Sequence, residues 1–324
     1  MPQISILTQN TFFIFTTPYI DVDPLKRIPF FIEYLANSNY DIVCLQEVFS
    51  SDLIGKDVLN PLLEGLEDIY PYTVKLQPQP IYNGIDSGLL LLSKYPIDSF
   101  VFHKYKSRTG IDALSDKGII IAHIQIPMEH DNNKTCSLII ANTHLNAGED
   151  STRCSRIRRS QTIEAVVALR DFLQSLKSKV DLDHVPVLVC GDFNISERIR
   201  NTRQYSNEYK RLLADFGDST RDLYRELNGN EPSGYTCDGY HRLDYILGVS
   251  GKFRLIDAGV DDFAETYTSR FVLSDHLGMN VVIDNLPIDS PNLDAELKHG
   301  RARVAQPSRF CYPFRQDIKT YEYN

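Results

Sequence analysis

The chain has 324 residues with a formal net charge of −9 at pH 7, and 42% of its residues are hydrophobic. This length and apolar content allow one large domain or two ordinary ones, each with a buried core. The acidic balance argues against a broad nucleic-acid-binding face, which would need an excess of basic residues, and it suits a carboxylate-lined site for a divalent cation.

Short apolar runs that are typical of buried strands recur along the chain. They span residues 4–7, 42–45, 88–92, 119–126, 137–141, 185–190, 243–247 and 279–283. Apolar residues at helical spacing alternate with these runs over residues 25–36, 163–176 and 205–216. The helical spacing of the segment 163–176 extends back to about residue 156. The alternation predicts an α/β protein whose strands are buried between helical layers.

The sequence predicts one catalytic-size domain over residues 1–286, because no linker-like stretch precedes its end. Residues 287–324 contain early prolines and a closing aromatic stretch, and we expect this tail to pack on the domain or to be partly flexible. The six widely spaced cysteines, without metal-type pairs, are typical of a reduced intracellular chain. No signal peptide or membrane-spanning run is visible, so we expect a protein that is cytoplasmic or peripheral to a membrane, with non-classical secretion left open. We also expect a monomer.

Polar side chains of the types that bind ligands or transfer protons stand where the predicted strands end or begin. They are Asn10, Glu47, His144, Asp192, Asn194, Asp275 and His276. Taken singly, each has an ordinary interpretation, such as a turn asparagine, an acid at a helix N-terminus or a surface histidine. Because ligands gather in the crevice beyond strand ends, the whole set predicts one shared site.

The chemistry of this set suits the hydrolysis of a phosphoester. Glu47 and Asn10 supply hard oxygen ligands, which Mg²⁺ takes together with water and substrate phosphate. Neither a three-histidine set nor a cysteine-rich set for zinc is present. His276 beside Asp275 forms an acid–histidine pair that could activate water, with the acid setting the tautomer.

Three further members of the set suit a phosphate-binding role. His144 and Asn194 are donors that can stabilise the charge that develops on a phosphate group. Asp192 could orient Asn194, His144 or the attacking water.

Short motifs in a fixed order carry a family resemblance. They are LQE at 45–47, NTHL at 142–145, GDFN at 191–194, RLDYI at 242–246 and SDH at 274–276. In this series the chain resembles the endonuclease/exonuclease/phosphatase superfamily. The resemblance implies a DNase I-like, four-layer α/β sandwich, in which two packed sheets of mainly antiparallel or mixed strands are flanked by helices.

Within that superfamily, the stretches 86–96, 112–118 and 144–161 look like those of the neutral sphingomyelinases. The resemblance implies hydrolysis of sphingomyelin to ceramide and phosphocholine at a membrane surface, dependent on Mg²⁺ with Mn²⁺ or Co²⁺ as substitutes. It also implies residue roles. The roles are metal binding for Glu47 with Asn10 beside it, general base for His276 paired with Asp275, phosphate contact for His144, Asp192 and Asn194, and a switch loop for Asp116 and Lys117.

The chain departs from the secreted bacterial enzymes, which carry an exposed aromatic hairpin between the DYI and SDH motifs. Residues 249–273 are short and charged. Their aromatic residues are only Phe253, Phe263, Tyr267 and Phe271. The mode of contact with a bilayer is therefore not apparent from the sequence.

Two alternatives remain open. The first is another enzyme of the superfamily, which acts on nucleic acid or on an inositol phospholipid. Its candidate basic residues are Arg153, Arg156, Arg158, Arg159, Arg198, Arg200, Arg203 and the pair His241–Arg242. On an acidic chain the clustered arginines are more simply solvated helix faces or phosphate-positioning groups. The second alternative is an inactive protein that binds lipid or a protein partner.

Overall fold

In the computed structural model, the described residues are 3–14, 23–49, 57–76, 86–128, 131–148, 151–230, 233–261 and 273–285. The strands are β1 (Gln3–Phe13), β2 (Ile42–Val48), β3 (Tyr72–Lys75), β4 (Leu90–Ser93), β5 (Ile97–Lys104), β6 (Gly118–Met128), β7 (Asp131–His144), β8 (Val187–Asp192), β9 (Arg221–Asp222), β10 (Asp244–Ser250), β11 (Phe253–Asp261) and β12 (Gly278–Asn285). The helices are α1 (Pro24–Ser38), α2 (Leu59–Leu66), α3 (Thr152–Leu176), α4 (Asn207–Phe216) and α5 (Leu223–Asn228), with a 3-10 helix at Gly110–Leu114. The predicted tail, residues 287–324, lies outside the described residues.

The strands form two six-stranded mixed sheets. Sheet 1 has the order β11-β12-β1-β2-β4-β3, and sheet 2 has the order β5-β6-β7-β8-β10-β9. The pairs β1–β2 and β7–β8 are parallel, so within each pair both strands end at the same edge. Because β12 is antiparallel to β1 and β10 is antiparallel to β8, these two strands begin at that edge. Both sheets therefore collect strand ends and strand beginnings at one edge.

The core has three apolar clusters that separate four layers. The central cluster lies between the sheets and includes Ile6 and Cys44 from sheet 1 and Ile140, Leu188 and Ile246 from sheet 2. A second cluster joins sheet 2 to α3 and α4, and a third joins sheet 1 to α1 and α2. Burial on both faces explains the continuous apolar runs of the strands. The predicted four-layer α/β sandwich is confirmed.

Helix α3 is longer than its apolar pattern predicts. It begins after Ser151, whose hydroxyl accepts a hydrogen bond from the backbone N–H of Cys154, as an N-cap residue does. Its first turns bury the polar side chains Arg158 and Gln161 in place of apolar ones. The helical hydrophobic period therefore becomes clear only at about residue 163, well inside the helix.

The aromatic residues of the segment 249–273 do not all remain at the surface. Phe253 begins β11 and is buried in the core between the sheets. The other aromatic residues named above, at 263, 267 and 271, lie outside the described residues. No helix in the described part of the chain combines the length and the apolar character that crossing a membrane requires.

Candidate active site at the shared edge of the two sheets

Four of the predicted site residues converge where strands of the two sheets end. Asn10 Nδ2 lies 3.0 Å from Glu47 Oε1 and 3.1 Å from Asp192 Oδ2. His144 Nε2 lies 3.8 Å from the same oxygen of Glu47 and 3.5 Å from that of Asp192. Sheet 1 contributes Asn10 and Glu47, and sheet 2 contributes His144 and Asp192, so neither sheet forms the site alone.

Unusual backbone conformations accompany this convergence. Glu47 has φ of +60° and Phe12 has φ of +53°, a left-handed region that non-glycine residues rarely occupy. The register of β1 against β2 shifts between Asn10 and Phe13, which is a bulge of the kind that re-aims side chains near functional sites. At Gly191, a Cβ atom would lie 1.9 Å from the carbonyl oxygen of Thr143, so only glycine permits the close pairing of β7 with β8.

The pair Glu47 and Asn10 fits a hard divalent cation. Glu47 Oε2 is buried and has no hydrogen-bond partner in the described part of the chain. Burial raises the pKa of Glu47 to about 7, although the hydrogen bond from Asn10 opposes this rise. A buried carboxylate oxygen without a partner is stabilised by a bound cation. Oxygen atoms of Asp192 and Asp244 also lie within 4.8 Å of each other and of a His276 nitrogen, a second grouping that could hold a metal ion.

The orienting partner of His276 is Asp244, not Asp275. Nδ1 of His276 lies 2.8 Å from Asp244 Oδ2, and Nε2 faces Asp192 Oδ2 at 3.9 Å. Asp244 is fully buried, whereas Asp275 is exposed. The predicted pairing was wrong because adjacency in sequence does not place two side chains together: Asp275 lies at an exposed bend, whereas the strand β10 brings Asp244 to the imidazole. The sequence did contain a signal for Asp244, because this acid of the RLDYI motif stands at the start of a predicted buried strand.

The carboxylates around His276 determine its charge. Burial alone would lower the pKa of His276, but the nearby Asp244 and Asp192 outweigh burial and hold the pKa well above its ordinary value. The ring is therefore a strong proton acceptor whose orientation is set at Nδ1.

Lys117 lies inside the site, and its ammonium group contacts His144. The side chain is fully buried, and Nζ lies 3.0 Å from His144 Nε2, 2.8 Å from the carbonyl oxygen of Leu145 and 3.0 Å from Asp112 Oδ1. Burial lowers the pKa of His144 well below its ordinary value, and the cations of Lys117 and His276 lower it further. His144 is therefore neutral and accepts a hydrogen bond from Lys117.

Asp116, in contrast, pairs with basic residues away from the other candidate site residues. Its Oδ1 lies 2.5 Å from Lys104 Nζ and 3.4 Å from an Arg108 guanidinium nitrogen. Of the two predicted switch-loop residues, the structure brings Lys117 to the site and pairs Asp116 with basic residues outside it. Asp112 is the acid that contacts Lys117.

Asn194 is positioned by the same loops. Its backbone N–H donates to Asp192 Oδ1 at 2.8 Å, and its side-chain Nδ2 donates to the carbonyl oxygen of Leu145 at 3.1 Å. Asn194 also has a left-handed φ of +51°. Asp192 thus orients Asn194 directly, which is one of the three roles that the sequence left open for it.

Buried amides join the sheets immediately beneath the site. Gln46 Nε2 donates to Asn142 Oδ1 at 2.8 Å, and Asn142 Nδ2 donates to the carbonyl oxygens of Leu45 and Leu90 at 2.9 and 3.0 Å. Because Gln46 precedes Glu47 and Asn142 lies two residues before His144, these bonds fix the distance between the two halves of the site.

A buried arginine, Arg27, holds the backbone around the site. Arg27 donates to the carbonyl oxygens of Thr11, Phe12 and Leu273, at 3.0, 2.5 and 2.5 Å. These carbonyls flank Asn10 and the SDH segment. No sequence pattern indicates this role, because Arg27 lies in a segment with the spacing of an ordinary amphipathic helix.

Arg158 contradicts the prediction of a solvated arginine face on α3. Its guanidinium forms two bonds to the carboxylate of Glu208, at 2.7 and 3.0 Å, and a third to the carbonyl oxygen of Gly148 at 3.0 Å. Arg158 is 1% exposed. It therefore braces the loop after His144, whereas Arg153, Arg156 and Arg159 are exposed as predicted.

Comparison with known proteins gives related sequences whose names indicate lipid hydrolysis. Human sphingomyelin phosphodiesterase 3 is 31% identical over 166 residues, which cover 48% of this chain and 24% of the human protein. Sphingomyelin phosphodiesterase 5 of Danio rerio is 27% identical over 280 residues, which cover 82% of this chain and 46% of the fish protein. The chain thus spans less than half the length of these relatives.

Solved structures share the fold at low sequence identity. Sphingomyelinase C from Streptomyces griseocarneus superimposes with a TM-score of 0.59 at 18% identity, covering 87% of this chain and 99% of that one. A double mutant of Staphylococcus aureus beta toxin with bound magnesium ions gives 0.59 at 21% identity, covering 86% and 99%. Truncated TDP2 from Caenorhabditis elegans gives 0.58 at 17% identity, covering 87% and 97%.

The structural matches show the fold, and the family is shown by a match in sequence. The model of the endonuclease/exonuclease/phosphatase family matches residues 27–276. This match includes all five motifs and the candidate site residues at the shared sheet edge except Asn10. The chain belongs to the endonuclease/exonuclease/phosphatase family.

Proposed function

We propose that the protein is a Mg²⁺-dependent phosphodiesterase that hydrolyses sphingomyelin to ceramide and phosphocholine. The observation that carries this proposal is the convergence of Glu47, which has a buried and unpartnered carboxylate oxygen, with Asp192, His144 and the Asp244-oriented His276. The names of the sphingomyelin phosphodiesterase relatives and of the sphingomyelinase C structure support the choice of lipid. A peripheral membrane location agrees with such a substrate.

Glu47 and Asn10 would hold the metal ion. When bound, Mg²⁺ would polarise a phosphoryl oxygen and offset its negative charge. Glu47 Oε2 has no other partner in the described residues, and a magnesium-bound structure of the same fold supports the choice of metal. Mn²⁺ or Co²⁺ would substitute because they accept the same oxygen ligands.

His276 is the proposed general base. With Nδ1 held by Asp244, Nε2 is free to remove a proton from a water molecule that attacks the phosphorus. The bond from phosphorus to the ceramide oxygen then breaks, phosphocholine carries the oxygen of the water, and the ceramide oxygen takes up a proton from solvent. His276 must first release the proton that its raised pKa retains, and a cation held by Glu47 would favour that release.

His144, Lys117 and Asn194 would contact the phosphate. Lys117 supplies a buried positive charge and donates to His144 Nε2, the nitrogen that faces Glu47 and Asp192, and Asn194 offers its side-chain amide. Preorganised donors of this kind stabilise charge in the transition state because they need no reorientation during the reaction.

A panel of substrates tests the proposal. Phosphocholine release from sphingomyelin vesicles would be measured beside plasmid nicking and phosphate release from inositol phospholipids, each with and without EDTA. We expect EDTA-sensitive phosphocholine release and no nicking. DNA cleavage without lipid turnover would overturn the substrate, and no turnover in any arm would favour the inactive binding protein.

A further inference from the structure

Two loops next to the site enclose an open cavity of about 280 Å³. One wall is the segment 198–203 and the other is the segment 235–240. The residues that matter for its chemistry are Arg198, Ile199, Arg200, Arg203, Tyr235 and Tyr240. We call this feature the basic pocket.

The basic pocket is built onto the elements that carry the catalytic residues. Arg198 follows Asn194 by four residues, a reach of at most about 14 Å. On the other wall, the segment from Thr236 to Cys237 is bonded to the SDH region, because the backbone N–H of Leu277 donates to the carbonyl oxygen of Thr236 at 2.7 Å and Cys237 bridges to His276. A ligand in the pocket would therefore lie close to the catalytic edge.

The pocket is positively charged on a chain that is acidic as a whole. The segment 198–203 holds three arginines and no acidic residue, whereas the formal net charge of the chain is −9. The one acid of the other wall, Asp238, lies 2.9 Å from His241 Nδ1. Arg198 forms the floor, where its guanidinium lies 4.3 Å from the centre of the Tyr205 ring and 3.8 Å from a Glu197 oxygen. Arg200 is exposed and forms no hydrogen bond or ion pair with any other described residue. The geometry leaves an arginine charge available for an anion.

The rim of the pocket is apolar and aromatic. Tyr240 is 64% exposed, Ile199 is 46% exposed and Tyr235 is 37% exposed. Tyrosine is enriched at membrane interfaces because its ring is apolar and its hydroxyl is polar. Arginines that contact phosphate, together with apolar side chains that enter the headgroup layer, are the features of a surface that binds an anionic membrane.

A nucleic acid strand is the other polyanion that arginines and aromatic rings bind. Such binding needs a basic groove that follows the backbone over several nucleotides, whereas the charges of the basic pocket are confined to one six-residue segment. An exposed isoleucine at the rim also suits a lipid better than a base.

We propose that the basic pocket binds the headgroup of an anionic phospholipid and thereby docks the catalytic edge on a negatively charged membrane. This inference rests on the proposed lipid hydrolase function. It supplies a docking surface for a chain in which the sequence shows no aromatic hairpin.

The test uses the full chain in EDTA, so that binding is measured without turnover. Flotation would be compared between vesicles of phosphatidylcholine alone and vesicles that also contain phosphatidylserine. The variant Arg200→Gln/Arg203→Gln removes two charges from the pocket, and Lys177→Gln/Lys179→Gln removes two exposed charges from the region after α3 as a matched control. Tyr240→Ala tests the rim.

We expect the wild type to prefer the phosphatidylserine vesicles. Each arginine removed should weaken that binding about five-fold, so the double variant should lose about 25-fold. Tyr240→Ala should weaken binding as well, whereas the lysine control should bind like the wild type. Turnover of a monomeric short-chain sphingomyelin with Mg²⁺ should be the same for the wild type and all three variants.

Equal binding of the arginine variant and the wild type would overturn the docking proposal, as would equal binding of the wild type to both kinds of vesicle. Loss of binding to a fluorescent single-stranded oligonucleotide, with vesicle binding unchanged, would assign the pocket to nucleic acid instead. A failure of the hydrolase proposal appears separately, as no phosphocholine release by the wild type, because the flotation result does not depend on turnover.

Discussion

Asp244 and Asp275 are equally acidic in sequence, yet only Asp244 contacts the imidazole of His276. We predict that Asp244→Asn lowers kcat by on the order of 10³- to 10⁴-fold, because the amide cannot set the tautomer or stabilise the charged ring. Asp275→Asn is the matched control. It should lower kcat less than about ten-fold, because the exposed Asp275 acts on His276 only through a solvent-screened electrostatic interaction. Phosphocholine release under saturating substrate measures both. A larger loss for the Asp275 variant would restore the pairing that the sequence suggested.

Glu47 combines a buried carboxylate oxygen that has no partner in the described residues with a pKa raised to about 7. We predict that Glu47→Gln loses the rise in Tm that MgCl₂ gives the wild type, because ligand binding stabilises only a fold that can bind the ligand. In EDTA the variant should melt at the same temperature as the wild type or higher, since it removes a buried charge. Thermal unfolding with and without MgCl₂ measures both effects. A Mg²⁺-dependent rise that persists in the variant would place the ion elsewhere.

At the level of elements, Arg242 shows how a motif residue can serve the scaffold. It is 2% exposed, and its guanidinium bonds both oxygens of Asp222, at 2.9 and 2.7 Å. Asp222 also accepts from the hydroxyl of Tyr209 at 2.6 Å. These bonds tie α4 and α5 to β10, so Arg242 is not an exposed inositol-phosphate contact.

The same ion pair makes stability depend on pH. Burial alone would raise the pKa of Asp222, but the paired Arg242 holds the pKa below its ordinary value. The stabilisation is therefore present above the unfolded-state pKa of about 3.9 and is lost as the pH falls toward the folded-state pKa. We predict that Asp222→Asn costs about 1–3 kcal/mol at pH 7, because it removes the carboxylate that two guanidinium nitrogens bond and leaves the buried Arg242 paired with Glu197 alone.

Urea unfolding of Asp222→Asn and the wild type at pH 7 and at acid pH measures this effect. The difference in unfolding free energy between the two proteins should shrink below about pH 4, where the wild-type carboxyl takes up a proton. A difference that does not change with pH would contradict the linkage.

The elements that the sequence missed are mostly those that are half exposed. Strand β5 lies at the edge of sheet 2, and none of its residues is fully buried. Strand β3 lies at the edge of sheet 1 and has one buried residue, Val74. Edge strands bury too few side chains to produce a continuous apolar run, so periodicity finds central strands and overlooks these.

At the scale of the whole molecule, the site exists only because the strand ends of the two packed sheets lie next to each other. We predict that Asn142→Ala lowers the unfolding free energy by about 1–3 kcal/mol, because it removes one bond from the amide of Gln46 and the bonds that Asn142 donates to the carbonyl oxygens of Leu45 and Leu90. It should also lower kcat, because Glu47 and His144 stand at the ends of β2 and β7, the two strands that Asn142 joins.

Gln125→Ala is a suitable control, because Gln125 lies in sheet 2 and bonds Thr135 and His123, away from the sheet interface. It should leave kcat unchanged. Urea unfolding and phosphocholine release on the same preparations separate stability from activity. An Asn142→Ala protein with full activity at wild-type stability would show that the cross-sheet bonds do not position the site.

The sequence by itself determined the central strands, the residue types at the strand ends and the family, because each of these depends on local composition and spacing. Tertiary structure alone decided which side chains face one another. Asp244 and His276 are 32 residues apart and meet only because β10 and β12 begin at the same edge of neighbouring sheets. The burial of Lys117, Arg27 and Arg158 was likewise undetectable, since a charged residue looks solvated until the carbonyls and carboxylates that pair with it are brought together by the fold.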